Sequence, residues 1–274
     1  MSTIALPSPS LRSNILAELL DRQPLLARYG IAVLLLSFAT LALQAVDPRT
    51  LHGVNVWVKP TKFLVSVGVF ALTSAWFYGY VRPERRRSRA LHFAARVLVA
   101  SATFELLYIA FQASRGLDSH FNTTAPVYQI MYGLMGLAAV LLIGTVLPLA
   151  WEIGRRPAAA LTRDFAAAVV IGLVLTVLLG GGLGGYMSSQ TGHSVGLDGG
   201  KVAMFGWNRS GGDLRIAHFL GIHAEQALPI LALLVAGWRP ALRWAAIAAG
   251  TLAYAGVTLA VFAQAVAGRP LLPL

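Results

Sequence analysis

The six histidines and eleven acidic residues of this sequence are the side chains most able to do chemistry. Two of the acids, Glu105 and Glu225, lie within strongly apolar stretches. A carboxylate in apolar surroundings is costly, so it is paired, protonated or bound to a ligand, and such acids are commonly functional. Histidine moves protons or binds metals near neutral pH. We therefore expect chemistry where histidines lie close to these two acids.

Glu105 belongs to a polar stripe on the apolar stretch 91–113. The stripe consists of Ser101, Glu105, Tyr108, Gln112 and Arg115. On a helix these positions fall within an arc of about 80°, at 100° per residue. We expect Glu105 to carry protons, to bind a ligand or to act as a counter-ion. The structural alternative is an ion pair with Lys62, Arg115 or His218.

A second polar face lies on the apolar stretch 217–238. Just before it, Asp213 follows two glycines, which is typical of a helix N-cap. His218 and Glu225 are seven residues apart and share a helix face. His223 lies about 140° around the helix from His218, so the two cannot chelate one metal as an i, i+4 pair would. They are expected to face different neighbours, or one binds while the other packs.

Three polar connections extend these faces. At the entry to the predicted helix 63–81, Lys59 is interpreted as an interface anchor, whereas Lys62, one turn further in, could neutralise an acid or hold an anionic group. The connection 115–124 brings together Arg115, Asp118, His120 and Asn122. The glycine-rich segment 188–216 contains His193 and is expected to fold over the helix ends as a lid, since long loops are usually functional or disordered. It is not a phosphate loop, because its spacing does not fit that motif.

These patterns assign three roles. The predicted catalytic residues are Glu105, Glu225 and Lys62; the predicted ligand-binding residues are Gln112, Arg115, Asp118, Asn122 and Arg215; the predicted metal ligands are His120, His193, His218 and His223. The chain has no cysteine, which excludes thiolate metal sites, iron–sulfur clusters and covalently attached haem. The cofactor would therefore be a divalent metal or a non-covalent haem held by histidine.

The elements that position these residues are apolar helices. The chain is 57% hydrophobic and 12% charged, about half the charge of a soluble domain, so lipid must be part of its solvent. Seven apolar stretches run approximately over 29–46, 63–81, 91–113, 125–150, 165–187, 217–238 and 242–266. Each should be a helix, because backbone polar groups in lipid must be satisfied within their own segment. We predict an all-α, polytopic seven-transmembrane-helix bundle over 29–267, preceded by an interfacial N-terminal segment 1–28.

The distribution of lysine and arginine sets the predicted orientation. Fourteen of the 22 Lys and Arg residues lie on the side that holds the 82–90 connection, and eight lie on the other. By the positive-inside rule the N-terminus is inside and the C-terminus outside, so the polar pocket faces outward. This topology accounts for the net charge of +11, and we expect no nucleic-acid partner.

Three functions are compatible with the pattern. The leading hypothesis is a metal- or haem-assisted membrane enzyme or redox protein. The first alternative is a transporter or receptor for a small or lipid-like solute, although no inverted repeat is evident. The second is an assembly protein whose polar cluster locks helix ends together. The expected partner is the lipid bilayer, and the oligomeric state is left open.

Three short strings carry a resemblance. They read Trp57-Val58-Lys59-Pro60-x-Lys62-Phe63, Gly192-His193-Ser194-Val195-Gly196 and Gly212-Asp213-Leu214-Arg215-x-Ala217-His218-Phe219. In these strings the chain resembles a group of uncharacterised bacterial multi-pass membrane proteins with no assigned activity. The resemblance implies a bacterial inner membrane and implies no reaction.

Overall fold

The structure is a computed structural model that describes residues 11–202 and 205–273. The chain divides into two compact units, Met1–Leu161 and Thr162–Leu274. Both are built from helices, and the four strands in the described residues have two residues each. The chain is therefore mostly helical, as the sequence predicts.

The first unit contains seven helices and one short hairpin in the described residues. They are α1 (Leu11–Arg22), α2 (Pro24–Val46), β1 (Thr50–Leu51), β2 (Val54–Asn55), α3 (Val58–Tyr78), α4 (Pro83–Arg86), α5 (Arg89–Ser114), α6 (Pro126–Gly144) and α7 (Val146–Arg155). Proline opens α2 and α6, where its missing N–H costs no helical bond. Ser88 caps α5 by accepting a hydrogen bond from the Leu91 N–H at 3.4 Å.

Two helix starts in this unit differ from the sequence expectation. The helix α2 begins at Pro24 rather than at Tyr29. The helix α3 begins at Val58, five residues before the expected Phe63. The segment before Phe63 is polar, so the apolar pattern alone does not indicate the start of α3. As a result, Lys59 and Lys62 both lie in the first two turns of α3.

The second unit contains the less regular helices. Its elements are α8 (Arg163–Leu175), a π-helical segment (Thr176–Gly181), α9 (Gly182–Ser188), β3 (Ser194–Val195), β4 (Gly212–Asp213), α10 (Leu214–Ile222), α11 (Ala224–Leu234) and α12 (Pro240–Val266). The strands β3 and β4 pair antiparallel, with Ser194 opposite Asp213. The predicted N-cap is confirmed, because the Asp213 carboxylate accepts a hydrogen bond from the Arg215 N–H at 3.0 Å.

Six helical runs are long and apolar enough to cross a membrane. They are Pro24–Val46, Val58–Tyr78, Arg89–Ser114, Pro126–Arg155, Arg163–Ser188 and Pro240–Val266. Large apolar side chains point outward from them; Phe38 is 67% exposed and Leu252 is 74% exposed. Lipid accommodates such surfaces, whereas water does not. The chain therefore has the architecture of a multi-pass membrane protein.

The seventh predicted span, 217–238, is not one straight helix. It consists of α10 and α11, which are bent by 54°. The bend lies at His223 and not at the proline of this run, Pro229, which lies inside α11. The predicted helix 165–187 is also irregular, because it contains the π segment. Single-turn π elements inside α-helices often mark functional sites.

Glycines allow close packing between these two irregular runs. A Cβ atom on Gly221 would lie 2.6 Å from the backbone nitrogen of Gly180, and one on Gly184 would lie 2.8 Å from ring atoms of His218. A Cβ on Gly185 would meet nothing within 4 Å. Gly180 and Gly184 thus lie where a neighbouring element packs closely, whereas Gly185 faces open space.

Candidate functional site

The helix break at His223 places an acid at the start of a half-helix. His223 lies between α10 and α11, with φ −95° and ψ 7°. Backbone groups on both sides of such a break lose their regular helical partners. In apolar surroundings these groups must find other partners, so irregular backbone within a span is tolerated only where protein or water satisfies it.

Two hydroxyl groups satisfy the backbone at this break. Thr176, fully buried in the π segment, donates to the Ile222 carbonyl oxygen at 3.4 Å and accepts from the Glu225 N–H at 3.1 Å. Tyr254 of α12 donates to the Leu220 carbonyl oxygen at 2.5 Å. The Thr176 side chain therefore bridges the end of α10 and the start of α11.

The carboxyl group of Glu225 is buried without a compensating charge. The residue has no exposed surface. Its Oε1 accepts a hydrogen bond from Gln226 Nε2 at 2.7 Å, and its Oε2 has no hydrogen-bond partner in the described residues. None of the ion pairs found among those residues involves Glu225. An ionised carboxylate here would bear its desolvation cost uncompensated.

A hydrogen-bond chain connects Glu225 with His223. Because a carboxyl oxygen accepts the bond from Gln226 Nε2, the other end of that amide is the oxygen Oε1. This oxygen lies 3.2 Å from His223 Nδ1 and accepts its proton. The chain thus fixes the tautomer of His223, with hydrogen on Nδ1.

The aromatic residues of the 188–216 segment pack near this break. Phe205 and Trp207 stack with ring centroids 4.5 Å apart, and Trp207 lies 5.9 Å from Phe219 of α10. The Phe219 ring lies 4.4 Å from the ring of His223. The segment therefore covers the His223 face of α10, which is the packing expected of a lid, while its movement stays a prediction.

His218 is oriented by the π segment. Its Nδ1 lies 2.9 Å from the Gly180 carbonyl oxygen. A carbonyl can only accept, so Nδ1 carries the hydrogen and Nε2 carries the lone pair. No hydrogen bond to Nε2 is formed by the residues that the structure describes. Histidines that ligate metals commonly donate their other ring N–H to a backbone carbonyl in this way.

Arg215, expected to bind a ligand, forms a clasp in the 188–216 segment. Its guanidinium donates to the Asp213 carboxylate at 2.9 and 2.5 Å and to the Gly206 carbonyl oxygen at 2.6 Å. The Asn208 N–H donates to the same carboxylate at 2.8 Å. Burial alone would raise the pKa of Asp213, but hydrogen bonds and charge from Arg215 outweigh it, so the pKa is lowered. The clasp holds the segment against the start of α10.

His193 lies beside this clasp, next to β3. Its carbonyl oxygen accepts from the Leu214 N–H at 2.9 Å, and its Nδ1 lies 3.2 Å from Ser194 Oγ. Burial, together with the positive charge of Arg215, lowers the pKa of His193 to about 4. The ring is therefore uncharged near neutral pH.

In the first unit, His120 meets Lys59. The Lys59 Nζ atom and Ser119 Oγ each lie 3.1 Å from His120 Nδ1. An ammonium group can only donate, so Nδ1 accepts and this nitrogen carries no hydrogen. The ring packs near Phe63 and Tyr132, with centroids 5.9 and 6.0 Å away. The predicted metal ligand is thus engaged at Nδ1 by protein groups.

The polar stripe of α5 is buried and only partly satisfied. Glu105 is 4% exposed and Gln112 has no exposed surface. Gln112 Nε2 donates to the Asp118 carbonyl oxygen at 3.0 Å. In the described residues, Glu105 Oε1, Tyr108 Oη and Gln112 Oε1 have no hydrogen-bond partner. The nearby ammonium of Lys59 acts electrostatically on Glu105.

The connection 115–125 is folded by its own polar groups. Asp118 Oδ2 lies 2.9 Å from His52 Nε2 at the surface. Asn122 Nδ2 donates to the Asp118 carbonyl oxygen at 3.2 Å, and Asn122 Oδ1 accepts from the Thr124 hydroxyl at 2.8 Å. The Arg115 guanidinium lies 5.3 Å from a phenylalanine ring of α5. These contacts stabilise the loop, and the ligand-binding roles of its residues stay predictions.

The structure groups the expected residues by unit. The first unit contains Lys62, Glu105, Gln112, Arg115, Asp118, His120 and Asn122, and the second contains His193, Arg215, His218, His223 and Glu225. Two contacts were missed from sequence. Lys59, interpreted from sequence as an interface anchor, lies in the first turn of α3 with its Nζ atom 3.1 Å from His120 Nδ1. Thr176 bridges the break, and its signal was available as the only serine or threonine in the apolar stretch 165–187.

Among the described residues, no three His, Asp or Glu side chains are grouped closely enough to hold a metal ion. The four predicted histidine ligands therefore do not form a shared cluster there. Any metal or haem would have to use one or two of these histidines with other ligands.

Comparisons with known proteins identify no relative. The sequence matches no protein-family profile, no curated protein and no solved structure. The resemblance carried by the three strings stays a prediction, and a functional proposal must rest on the geometry.

The pKa of His193 predicts an acid-sensitive 188–216 segment. The unfolded histidine titrates near 6.5 and the folded one near 4, so between these values the unfolded chain binds more protons. Stability therefore falls as the pH falls through this window. The loss of stability on going from about pH 7 to about pH 5 should be smaller in His193→Gln than in the parent protein, measured by thermal unfolding in detergent.

The matched control is His92→Gln, which removes an exposed histidine of the first unit. It should keep the acid sensitivity of the parent. Equal losses of stability in His193→Gln and in the parent would contradict the assignment. The Asp213 clasp does not interfere, because the lowered pKa of that carboxylate places its contribution below the ordinary aspartate value of 3.8.

Proposed function

We propose that this protein is a multi-pass membrane transporter that binds and releases a proton at Glu225, with protonation coupled to movement of the break between α10 and α11. The observation that carries the proposal is the position of Glu225. It has no exposed surface, one carboxyl oxygen without a partner in the described residues, and a place in the first turn after a helix break.

The chemistry of the group supports a proton carrier. A buried acid without a neighbouring cation is strongly disfavoured as an anion, so it holds a proton or gains a cation. The Gln226 amide donates to one carboxyl oxygen whether the acid is protonated or ionised. The other oxygen is the one that can hold the proton. A small monovalent cation is the alternative occupant of the same oxygen.

The surroundings of Glu225 support coupling to movement. Discontinuous helices of transporters place their binding groups at half-helix ends. Here the Thr176 hydroxyl joins the two half-helices through bonds of 3.1 and 3.4 Å, one of them to the Glu225 N–H itself. A charge that appears on Glu225 would favour access of water to the break, and water competes for those bonds.

The finer topology belongs to the same proposal. The bent pair α10–α11 would be the seventh crossing, which puts the N-terminus inside and the C-terminus outside by the lysine and arginine distribution. The resemblance of the three strings supports a bacterial inner membrane. The 188–216 segment, whose aromatic residues pack on α10, would then gate the outward side.

Labelling with a hydrophobic carbodiimide tests the proton on Glu225. The reagent adds the O–H of a carboxylic acid across its C=N bond and does not do so with a carboxylate. At neutral pH we expect a covalent N-acylurea adduct on Glu225, identified by mass spectrometry, and slower labelling as the pH rises. Slower labelling with added Na⁺ at fixed pH would identify the cation as the occupant.

Two variants make the assignment specific. Glu225→Gln should lose the adduct on its peptide, whereas Glu152→Gln, which removes an acid paired with Arg85 at 2.6 Å, should leave it unchanged. An unlabelled Glu225 in protein whose buried Glu105 is labelled would overturn the proposal.

A second candidate function, that of a haem or metal protein, is favoured by one observation. His218 Nδ1 is fixed by the Gly180 carbonyl oxygen, which aims the lone pair of Nε2 away from the protein partner. A histidine with Nδ1 held by a carbonyl and a free lone pair on Nε2 is suited to ligate haem iron or a divalent metal. The group would supply redox or Lewis-acid chemistry, and His218 would hold and orient it.

An absorption spectrum of the detergent-purified protein after addition of haem, with elemental analysis for metals, tests this candidate. We expect Gly184→Ala to weaken binding, because its Cβ would displace the His218 ring, and Gly185→Ala to leave it unchanged, because its Cβ meets nothing. If the parent protein shows no Soret band and contains no stoichiometric metal, this candidate is eliminated.

A further inference from the structure

Three buried polar atoms on one face of α5 lack partners in the described residues. They are Glu105 Oε1, Tyr108 Oη and Gln112 Oε1. Positions three and four residues apart lie on one side of a helix, and the seven residues from Glu105 to Gln112 span about 10 Å. Glu105 and Gln112 are at most 4% exposed. The three atoms therefore form a buried polar row along α5.

The chemistry of the row indicates which ligand it takes. Two of the atoms are carbonyl-type oxygens that accept hydrogen bonds, and the third is a hydroxyl that both donates and accepts. Buried polar groups in proteins are nearly always satisfied, by protein or by ordered water. Water is the smallest molecule that donates to the oxygens and also bridges them to the hydroxyl. Larger ligands do not suit residues with so little exposed surface.

The row leads from Glu105 to the 115–125 connection. At its far end Gln112 Nε2 donates to the Asp118 carbonyl oxygen at 3.0 Å. The Asp118 side chain is 40% exposed and pairs with His52, which is 73% exposed, so this end reaches the surface. At its inner end Glu105 lies within electrostatic range of Lys59 from α3.

Other charged and titratable groups lie beside the row. Tyr108 lies within electrostatic range of Arg115 and of Tyr128 from α6. His120 is linked to the row through Lys59, whose Nζ lies 3.1 Å from His120 Nδ1. The electrostatic surroundings of the row thus include two cations, Lys59 near Glu105 and Arg115 near Tyr108.

We propose that the α5 face formed by Glu105, Tyr108 and Gln112 binds a file of water that carries protons between the 115–125 connection and Glu105. Each water accepts one proton as it gives up another, and Glu105 is the terminal carrier. Only O–H bonds form and break, so no oxidant or reductant is required. The site shares no residue with the Glu225 site and stands independently of the function proposed for it.

Infrared spectroscopy of the reconstituted protein during exchange from H₂O to D₂O tests this proposal. The C=O stretch of a protonated glutamic acid shifts to lower frequency when its O–H becomes O–D, so the rate of the shift reports access of water protons. Glu105→Gln identifies the band, and Glu225→Gln should leave it in place. Gln112→Leu should slow the shift by about tenfold or more, because it removes a polar partner from the buried path.

Two further variants secure the interpretation. Tyr108→Phe removes only the hydroxyl and should also slow the shift of the Glu105 band. This variant tests the proposal even if Gln112→Leu does not fold. Gln129→Leu changes an exposed glutamine of α6 and should exchange at the parent rate. Exchange at the parent rate in both Gln112→Leu and Tyr108→Phe, or no band lost in Glu105→Gln, would overturn the proposal.

Discussion

A helix cannot be interrupted in apolar surroundings unless other groups satisfy the backbone that the interruption frees. The second unit of this protein meets that requirement at His223. The Thr176 hydroxyl accepts from the N–H of one half-helix and donates to a carbonyl of the other, and the Tyr254 hydroxyl takes a further carbonyl. The glycine contact between Gly180 and Gly221 brings the π segment close enough for these bonds.

The same arrangement explains why an acid at this place is chemically distinct. Glu225 lies in the first turn of the second half-helix, where the backbone N–H groups are only partly satisfied and the macrodipole favours negative charge. Burial opposes that charge much more strongly, since no cation pairs with the carboxyl group in the described residues. Because the macrodipole favours the charge and burial opposes it, protonation of Glu225 is sensitive to small changes in hydration. A carboxyl group that is either protonated and buried or ionised and hydrated is suited to couple proton binding to movement of the break.

Local patterns were sufficient to predict several features of this chain. Periodicity identified the apolar helices and the shared face of Glu105 and Gln112. Two glycines before Asp213 identified its capping role. Each of these features depends on residues within one or two helical turns of each other, and such information is present in the sequence itself.

The features that could not be predicted depend on contacts between distant residues. The bend at His223 arises without a proline at that position, and it is stabilised by Thr176, which lies 47 residues earlier in the chain. The helix α3 also begins before its apolar run, which places Lys59 in its first turn and 3.1 Å from His120, a residue 61 positions later in the chain. Arg215 is a residue type that often binds anionic ligands, but here its guanidinium donates to the Asp213 carboxylate and holds the 188–216 segment in place.

Hydrogen–deuterium exchange across the break tests the central claim most directly. Glu225→Gln imitates the protonated acid, so its amides near His223 should exchange, after correction for the intrinsic rate, independently of pH. In the parent protein, reconstituted in lipid, exchange of the same amides should increase as the pH rises and Glu225 loses its proton. The same pH dependence in the parent and in Glu225→Gln would contradict the account, because the break would then open without reference to this carboxyl group.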